Sequence, residues 1–254
     1  MNIIWHGQSC FQITARRNKD EQTSILIDPF SEDSNPPTTL PPKGRAPIGL
    51  RLPKLEADIL LITHDHPDHN NVKAVGGNPF LITGPGEYEV KKVYIQGIHS
   101  FHDDKDYNPP TASSRSLRER APGRERGENT IYTIEAEDLK LCHLGDLGQK
   151  ELTEEQLEKI GEVDILMIPV GGVPHQNQWW GTISAKEALK VMSQIEPRIT
   201  IPMHYALPKL KIKLDPLDKF LKALGLKSIT PENKLSIKKK DLSPEEAKII
   251  VLKP

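Results

Sequence analysis

The chain has 254 residues, 36% of them hydrophobic and 27% charged, with a formal net charge of −1. Such a length holds one large domain or two small ones, and the composition is that of a soluble globular protein. The near-zero charge offers no global attraction for nucleic acid or an anionic membrane, and no apolar run approaches the roughly 20 residues that span a bilayer.

The opening Met1-Asn2-Ile3-Ile4-Trp5-His6 lacks the basic and then apolar pattern of an export signal. Cys10 and Cys142 are the only cysteines and form no Cys-x-x-Cys pair, so both are read as reduced, buried thiols of a cytoplasmic protein. Ile3 to Thr14 is rich in strand formers, Arg16 to Glu21 is a polar turn, and Thr23 to Ile27 is a second strand ending at Asp28-Pro29. A long Pro- and Gly-bearing connection, residues 31–53, leads to the apolar run 57–62. Directly after it comes Thr63-His64-Asp65-His66-Pro67-Asp68-His69, three imidazoles and two carboxylates behind a rigid strand. Imidazole nitrogen and carboxylate oxygen are the donors that zinc and similar borderline cations prefer, so this loop is read as a metal-binding loop.

Phe80 to Thr83 is expected as a strand, 84–88 as a turn, and 93–98 as a strand ending at His99-Ser100-Phe101-His102. Residues 106–128 carry Pro109-Pro110, paired serines and an Arg/Glu-rich remainder, which predicts an exposed, mobile loop. Its Arg115, Arg118, Arg120, Arg124 and Arg126 form either a solvated face or an anion-binding cluster. A hairpin over 130–134 and 139–143 turns at Glu137-Asp138. Strand–helix units follow: a helix from Thr153, capped through Gln156; a buried strand at 164–170; an amphipathic helix at 184–195; a strand at 199–201 leading to His204-Tyr205; and a helix at 217–224 closed by Gly225. Short strands at 235–238 and 249–252 complete the chain. The pattern implies an α/β sandwich, with sheets packed together and helices covering the outside.

Four more strand ends carry ligand-type residues: Asp28, His102 or His99, Asp146 and His204. A lone example would be an ordinary polar cap, but a sheet brings its strand ends together, so recurrence points to one site. With the His-x-His-x-Asp-His run at 64–69, this series resembles the metallo-β-lactamase-fold hydrolase superfamily. Within it the chain is similar to the small single-domain branch that includes the ascorbate-6-phosphate lactonase-like proteins. Trp5-His6-Gly7-Gln8-Ser9-Cys10-Phe11, Ile27-Asp28-Pro29-Phe30, Cys142 to Gly148, Ile168 to Gly172 and Ile201 to Tyr205 carry the likeness over most of the chain.

The resemblance implies a single domain over residues 1–254 with the four-layer αβ/βα fold, two mixed sheets packed face to face with helices outside, and two divalent ions, zinc foremost, with manganese or iron as alternatives. His64, His66 and His102 would hold the first ion, Asp68, His69 and His204 the second, and Asp146 would bridge them. Phe101-His102-Asp103 matches relatives, which favours His102 over His99. Asp28 would accept an imidazole N–H and fix which ring nitrogen faces the metal. Gln8 stands where the branch commonly has His, and Trp179-Trp180 either packs or lines a pocket mouth.

A hydroxide bridging the two ions would then attack a small ester, lactone or phosphoester, with Asp68 steering a proton and Tyr205 donating to the developing oxyanion. Two other readings compete. One is a nuclease of the same fold whose 106–128 arginines bind phosphates. The other is a non-enzymatic, metal-stabilised binding domain, disfavoured because every ligand position is filled. Asp146 and the absent export signal argue against antibiotic hydrolysis, and the tail after Gly225 is too short for the helical domain of glyoxalase II-type enzymes.

Overall fold

The computed structural model describes residues 1–34, 46–66, 68–102, 127–172, 182–243 and 246–254. The five arginines of the 106–128 loop and Trp179-Trp180 lie outside the described residues.

Two large mixed sheets dominate the described residues, beside two small two-stranded pairings, Asp33–Ser34 with Ala46–Pro47 and Leu55–Glu56 with Val75–Gly76. The first contains β1 (Asn2–Gly7), β2 (Cys10–Arg16), β3 (Gln22–Ile27), β4 (Ile59–Leu61), β5 (Phe80–Ile82) and β12 (Leu235–Ser236), in the order β12-β1-β2-β3-β4-β5. The second contains β6 (Gly86–Val90), β7 (Val93–Phe101), β8 (Glu128–Ala136), β9 (Leu139–His143), β10 (Ile165–Pro169), β11 (Ile199–Met203) and β13 (Lys248–Ile249), in the order β6-β7-β8-β9-β10-β11-β13.

Alternation decides the inner face. Ile3 and Trp5 of β1, Phe11 and Ile13 of β2, and Ile25 and Ile27 of β3 point into one core shared with Ile95, Ile134 and Leu141 of the second sheet. Central strands covered on both faces read instead as unbroken apolar runs. Thus every residue of β4, β10 and β11 is buried.

The helices α1 (Glu154–Ile160), α2 (Ala185–Ile195) and α3 (Leu217–Ala223) add Ile160, Ala188, Val191 and Phe220 to that core. Capping boxes start the first two, Thr153 with Gln156 and Ser184 with Glu187, each satisfying otherwise orphaned backbone donors. A second cluster, Cys10, Leu26, Phe30, Ile48, Leu60 and Ile62, is packed by Leu50, Leu52, Leu55, Val72 and Leu210 from turns and short segments. Cys10 and Cys142 are both free and buried.

Two local departures from the sequence expectation matter. The stretch read as one strand over 3–14 is a hairpin, because Gly7 (φ 101°) and Gln8 (φ 50°) turn the chain. The segment 86–90, read partly as a turn, is a strand paired with β7 across Lys91-Lys92, whose φ values of 51° and 64° form a tight hairpin without the usual Gly or Asn. The turn at Glu137-Asp138 falls where expected, with φ values of 52° and 61°.

Strand direction positions the site. β1 and β3 are both antiparallel to β2, and β4 runs parallel to β3, so the ends of β1, β3 and β4 emerge on one edge. In the second sheet β7 and β9 are both antiparallel to β8, while β10 and β11 run parallel to β9. Their C-terminal ends also share an edge. Cross-sheet hydrogen bonds lock the two edges together: Thr130 N to Thr63 O at 2.8 Å, Tyr132 Oη to Ile62 O at 2.9 Å, and His204 N to Gln8 O at 3.1 Å. No helix among the described residues is long and apolar enough to cross a membrane.

Candidate metal centre

The loop after β4 and the ends of β3, β7, β9 and β11 meet at this joint edge. Asp28, His64, Asp68, His69, His102, Asp146 and His204 are all buried there, although every one is polar. Asp28 and His204 adopt positive φ, 46° and 50°, which breaks strand alternation where each side chain must turn toward the site.

Asp28 organises the cluster. Its Oδ1 accepts the Thr63 amide at 2.8 Å, and its Oδ2 accepts the Thr63 hydroxyl at 2.6 Å and the His69 Nδ1–H at 2.8 Å. Because the Thr63 hydroxyl donates to Asp28, its oxygen accepts from His64 Nδ1, 3.0 Å away. One carboxylate therefore fixes two rings, His69 directly and His64 through Thr63, and leaves both Nε2 atoms for the centre of the cluster. This is the orienting part expected of Asp28, and Thr63 is the link that sequence reading missed.

Around these two rings the other donors gather. His64 Nε2 lies 3.1 Å from His66 Nδ1. The His102 ring centre is 5.2 Å from that of His64 and 4.7 Å from that of His66. Asp68 Oδ2 stands 3.6 Å from His69 Nε2 and 3.7 Å from His204 Nε2, and Asp146 Oδ1 is 4.0 Å from His204 Nε2. Two ligand atoms on one tetrahedral zinc are separated by roughly 3.3–3.6 Å, given metal–ligand bonds of about 2.0–2.2 Å. Most of these spacings sit close to that edge length.

The donor atoms within 4.8 Å of one another fall into two overlapping groups, Asp68-His69-His204 and His64-His69-Asp146. The first is the second-ion set implied by the resemblance. His66, His99 and His102 fall in neither group. The His99 ring lies against Phe101, whereas the buried His102 ring lies beside those of His64 and His66.

A test of fit comes from unsatisfied atoms. Both Asp68 carboxylate oxygens, His69 Nε2, His102 Nδ1, Asp146 Oδ1 and both ring nitrogens of His204 are buried without a hydrogen-bond partner. Buried polar atoms in folded proteins are normally paired, and an unpaired buried carboxylate is among the costliest exceptions. A divalent cation satisfies such a set.

Electrostatics agrees. Burial pushes the Asp68 carboxyl up, but the neighbouring charges of His69 and His204 outweigh that and hold it at about 2. Burial pulls His69 down, yet Asp68, Asp28 and Asp146 together lift it to about 9. His64 lies well below the usual range, and His66 falls to about 4, first through burial and then through neighbouring imidazoles.

Other polar residues hold the frame. His143 Nε2 donates to Ser9 O at 2.9 Å and its Nδ1 accepts the Gly145 amide at 3.1 Å, so both nitrogens are engaged away from the cluster. Burial lowers it to about 4, which keeps it neutral. Asn129 was invisible as a site residue in the sequence. Its amide donates to Ser100 Oγ at 2.7 Å and Leu144 O at 2.9 Å, and its Oδ1 accepts the Asp146 amide at 3.1 Å. Gly145, at φ 62°, is required beneath it, because a Cβ there would overlap Asn129 Oδ1. Tyr205 packs its ring on Trp5 at 5.1 Å, and burial raises its phenol, keeping it protonated.

Comparison with known proteins places the chain. The family Lactamase_B_3, a beta-lactamase superfamily domain, matches residues 2–204, and the chain belongs to that family. A UPF0173 protein of Pyrococcus abyssi is 30% identical over 224 residues, 81% of this chain and 83% of that protein. A UPF0173 metal-dependent hydrolase of Thermoplasma volcanium is 29% identical over 235 residues, 85% of this chain and 88% of its own. The crystal structure of a Thermotoga maritima member of the metallo-beta-lactamase superfamily is similar at 32% identity and a TM-score of 0.68, covering 99% of this chain and 97% of that one.

Two outcomes follow from this geometry. Metal binding at neutral pH should displace the His69 proton, because a ligating imidazole must be neutral and this one is protonated below about 9. Calorimetric zinc titrations in two buffers of different ionisation enthalpy should show about one more proton released near pH 7.5 than above pH 9, where only metal-bound water still ionises; equal release at both pH values contradicts the assignment. Asp28→Asn should place an amide N–H against His69 Nδ1 and force the proton onto Nε2. Zinc affinity should then fall roughly 10–100-fold with the far-UV spectrum unchanged; unaltered affinity would remove Asp28 from its orienting role.

Proposed function

We propose that this chain is a metal-dependent hydrolase with a dinuclear centre, zinc foremost with manganese or iron as alternatives, acting on a small ester, lactone or phosphoester. The observation that carries this reading is the buried Asp68 carboxylate, both oxygens unpartnered, set between His69 Nε2 and His204 Nε2. The Thermoplasma relative is named a metal-dependent hydrolase, and the Thermotoga structure is described as a candidate zinc-dependent hydrolase.

In this proposal His64, His66 and His102 would hold one ion and Asp68, His69 and His204 the other, with Asp146 available to both. Ions bound there supply Lewis acidity and a water that is ionised near neutral pH. Asp68, with its carboxyl held at about 2, stays ionised at working pH, so besides ligating it can accept a hydrogen bond and direct a proton. Tyr205, kept protonated by burial, has an O–H to offer a developing oxyanion. Asp28 and Thr63 keep the two rings aligned throughout. Two free buried thiols suit the cytoplasmic setting expected from the sequence.

A lactone, a phosphodiester and a thioester offered to zinc-loaded protein form the test. Turnover of at least one should fall more than about 100-fold in a folded His66→Ala variant, beyond the loss typical of removing an outer partner. Undiminished turnover in that variant refutes the hydrolytic centre. Preference for nucleic acid with an affinity that drops steeply with salt would instead favour the nuclease reading.

A further inference from the structure

β8 begins directly against the cluster. Its strand partner β7 pairs with it from Tyr94↔Glu135 to Phe101↔Glu128, so the next positions across are His102 and Gly127. The contact is made: the His102 amide donates to Gly127 O at 3.1 Å. Directly opposed residues in an antiparallel pair normally send their side chains to the same face, with Cβ atoms about 4.5–5.5 Å apart. Here there is only one side chain. The imidazole of His102 leans across the strand gap into the space that a second would fill.

A Cβ built on Gly127 overlaps the ring at Nε2, Cε1 and Cδ2 together. The obstruction is the whole far edge of a rigid ring, which cannot bend away as the tip of a flexible chain would. The near side of the ring is also occupied, with the His64 and His66 rings at 5.2 and 4.7 Å. Retreat from position 127 therefore means leaving the cluster. Space by itself requires glycine at this point.

We propose that Gly127 is a positioning residue for the metal centre: its absent side chain is the socket that seats the His102 imidazole. It thereby sets occupancy of the ion shared with His64 and His66. The inference rests on the reading of His102 as a ligand. A side chain at 127 ejects that ring and empties the first position, while Asp68, His69 and His204 retain the second ion.

Zinc per chain, measured by elemental analysis after equilibration at fixed free zinc, tests this on the full-length protein as Gly127→Ala, His102→Ala and the double variant. Thermal unfolding of each metal-free protein supplies a second readout. Both single variants should lose one of the two ions, with affinity at the first position down by about tenfold or more. In the His102→Ala background the added methyl occupies vacated space, so Gly127→Ala should change neither zinc content nor unfolding temperature any further. A Gly127→Ala protein that fails to fold alone but folds in the His102→Ala background gives the same support. If His102→Ala keeps both ions, the ligand reading fails. If His102→Ala loses one ion and Gly127→Ala keeps both, the socket proposal is overturned. Equal damage from Gly127→Ala in both backgrounds overturns it too, because the glycine would then serve the strand and not the ring.

Discussion

Carboxylates and imidazoles withdrawn from water at the joint edge of two sheets set the terms for everything around them. Removing an ion from water costs several kcal/mol even after the protein relaxes, and an unpaired carboxylate recovers little of that. Asp28 is compensated by three donors from Thr63 and His69. Asp68 is not: His69 and His204 face it at distances longer than a hydrogen bond. A set of buried donors whose facing atoms leave one another unsatisfied is poised for a divalent cation. Metal binding and folding are then linked, because an ion bound only by the assembled cluster stabilises the assembled state.

The fold delivers these donors by direction more than by proximity in sequence. Five strands that point the same way place Asp28, the 64–69 loop, His102, Asp146 and His204 on one rim. Cross-sheet bonds from Thr130, Tyr132 and His204 keep the two halves of that rim in register. The backbone gives way where a side chain must leave its alternating face, at Asp28 and His204, and glycine appears where a side chain would intrude, at Gly127 and Gly145. Rigid strands and few local exceptions make a site whose donors are held before any ligand arrives.

Much of this was legible in the sequence because the relevant signals are local. An apolar run followed at once by His64-Asp65-His66 announces a strand and a ligand loop within ten residues, and the same grammar repeats at Asp28, Asp146 and His204. Capping chemistry at Thr153 and the turn at Glu137-Asp138 are equally local and were read correctly. The hairpin at Gln8 was missed because Ile3 to Thr14 carries strand propensity on both sides of a break marked only by Gly7. The strand at 86–90 was missed because its alternating glutamates face outward and its turn uses two lysines. Thr63, Asn129 and Gly127 could not be found at all by pattern. Each matters through a partner distant in the chain, Asp28, Asp146 and the His102 ring, and only the pairing of strands brings them together. Substrate choice has no such local mark, since it depends on the walls around the cluster and not on the donors.

A pair of cations gripped at this rim is what every part of the account presupposes, and diffraction at the zinc absorption edge examines it most directly. Crystals grown with zinc should give two anomalous peaks per chain, one against Asp68, His69 and His204 and its neighbour against His64, His66 and His102, with Asp146 between. A rim without anomalous signal, or zinc found only on surface side chains, would contradict the account.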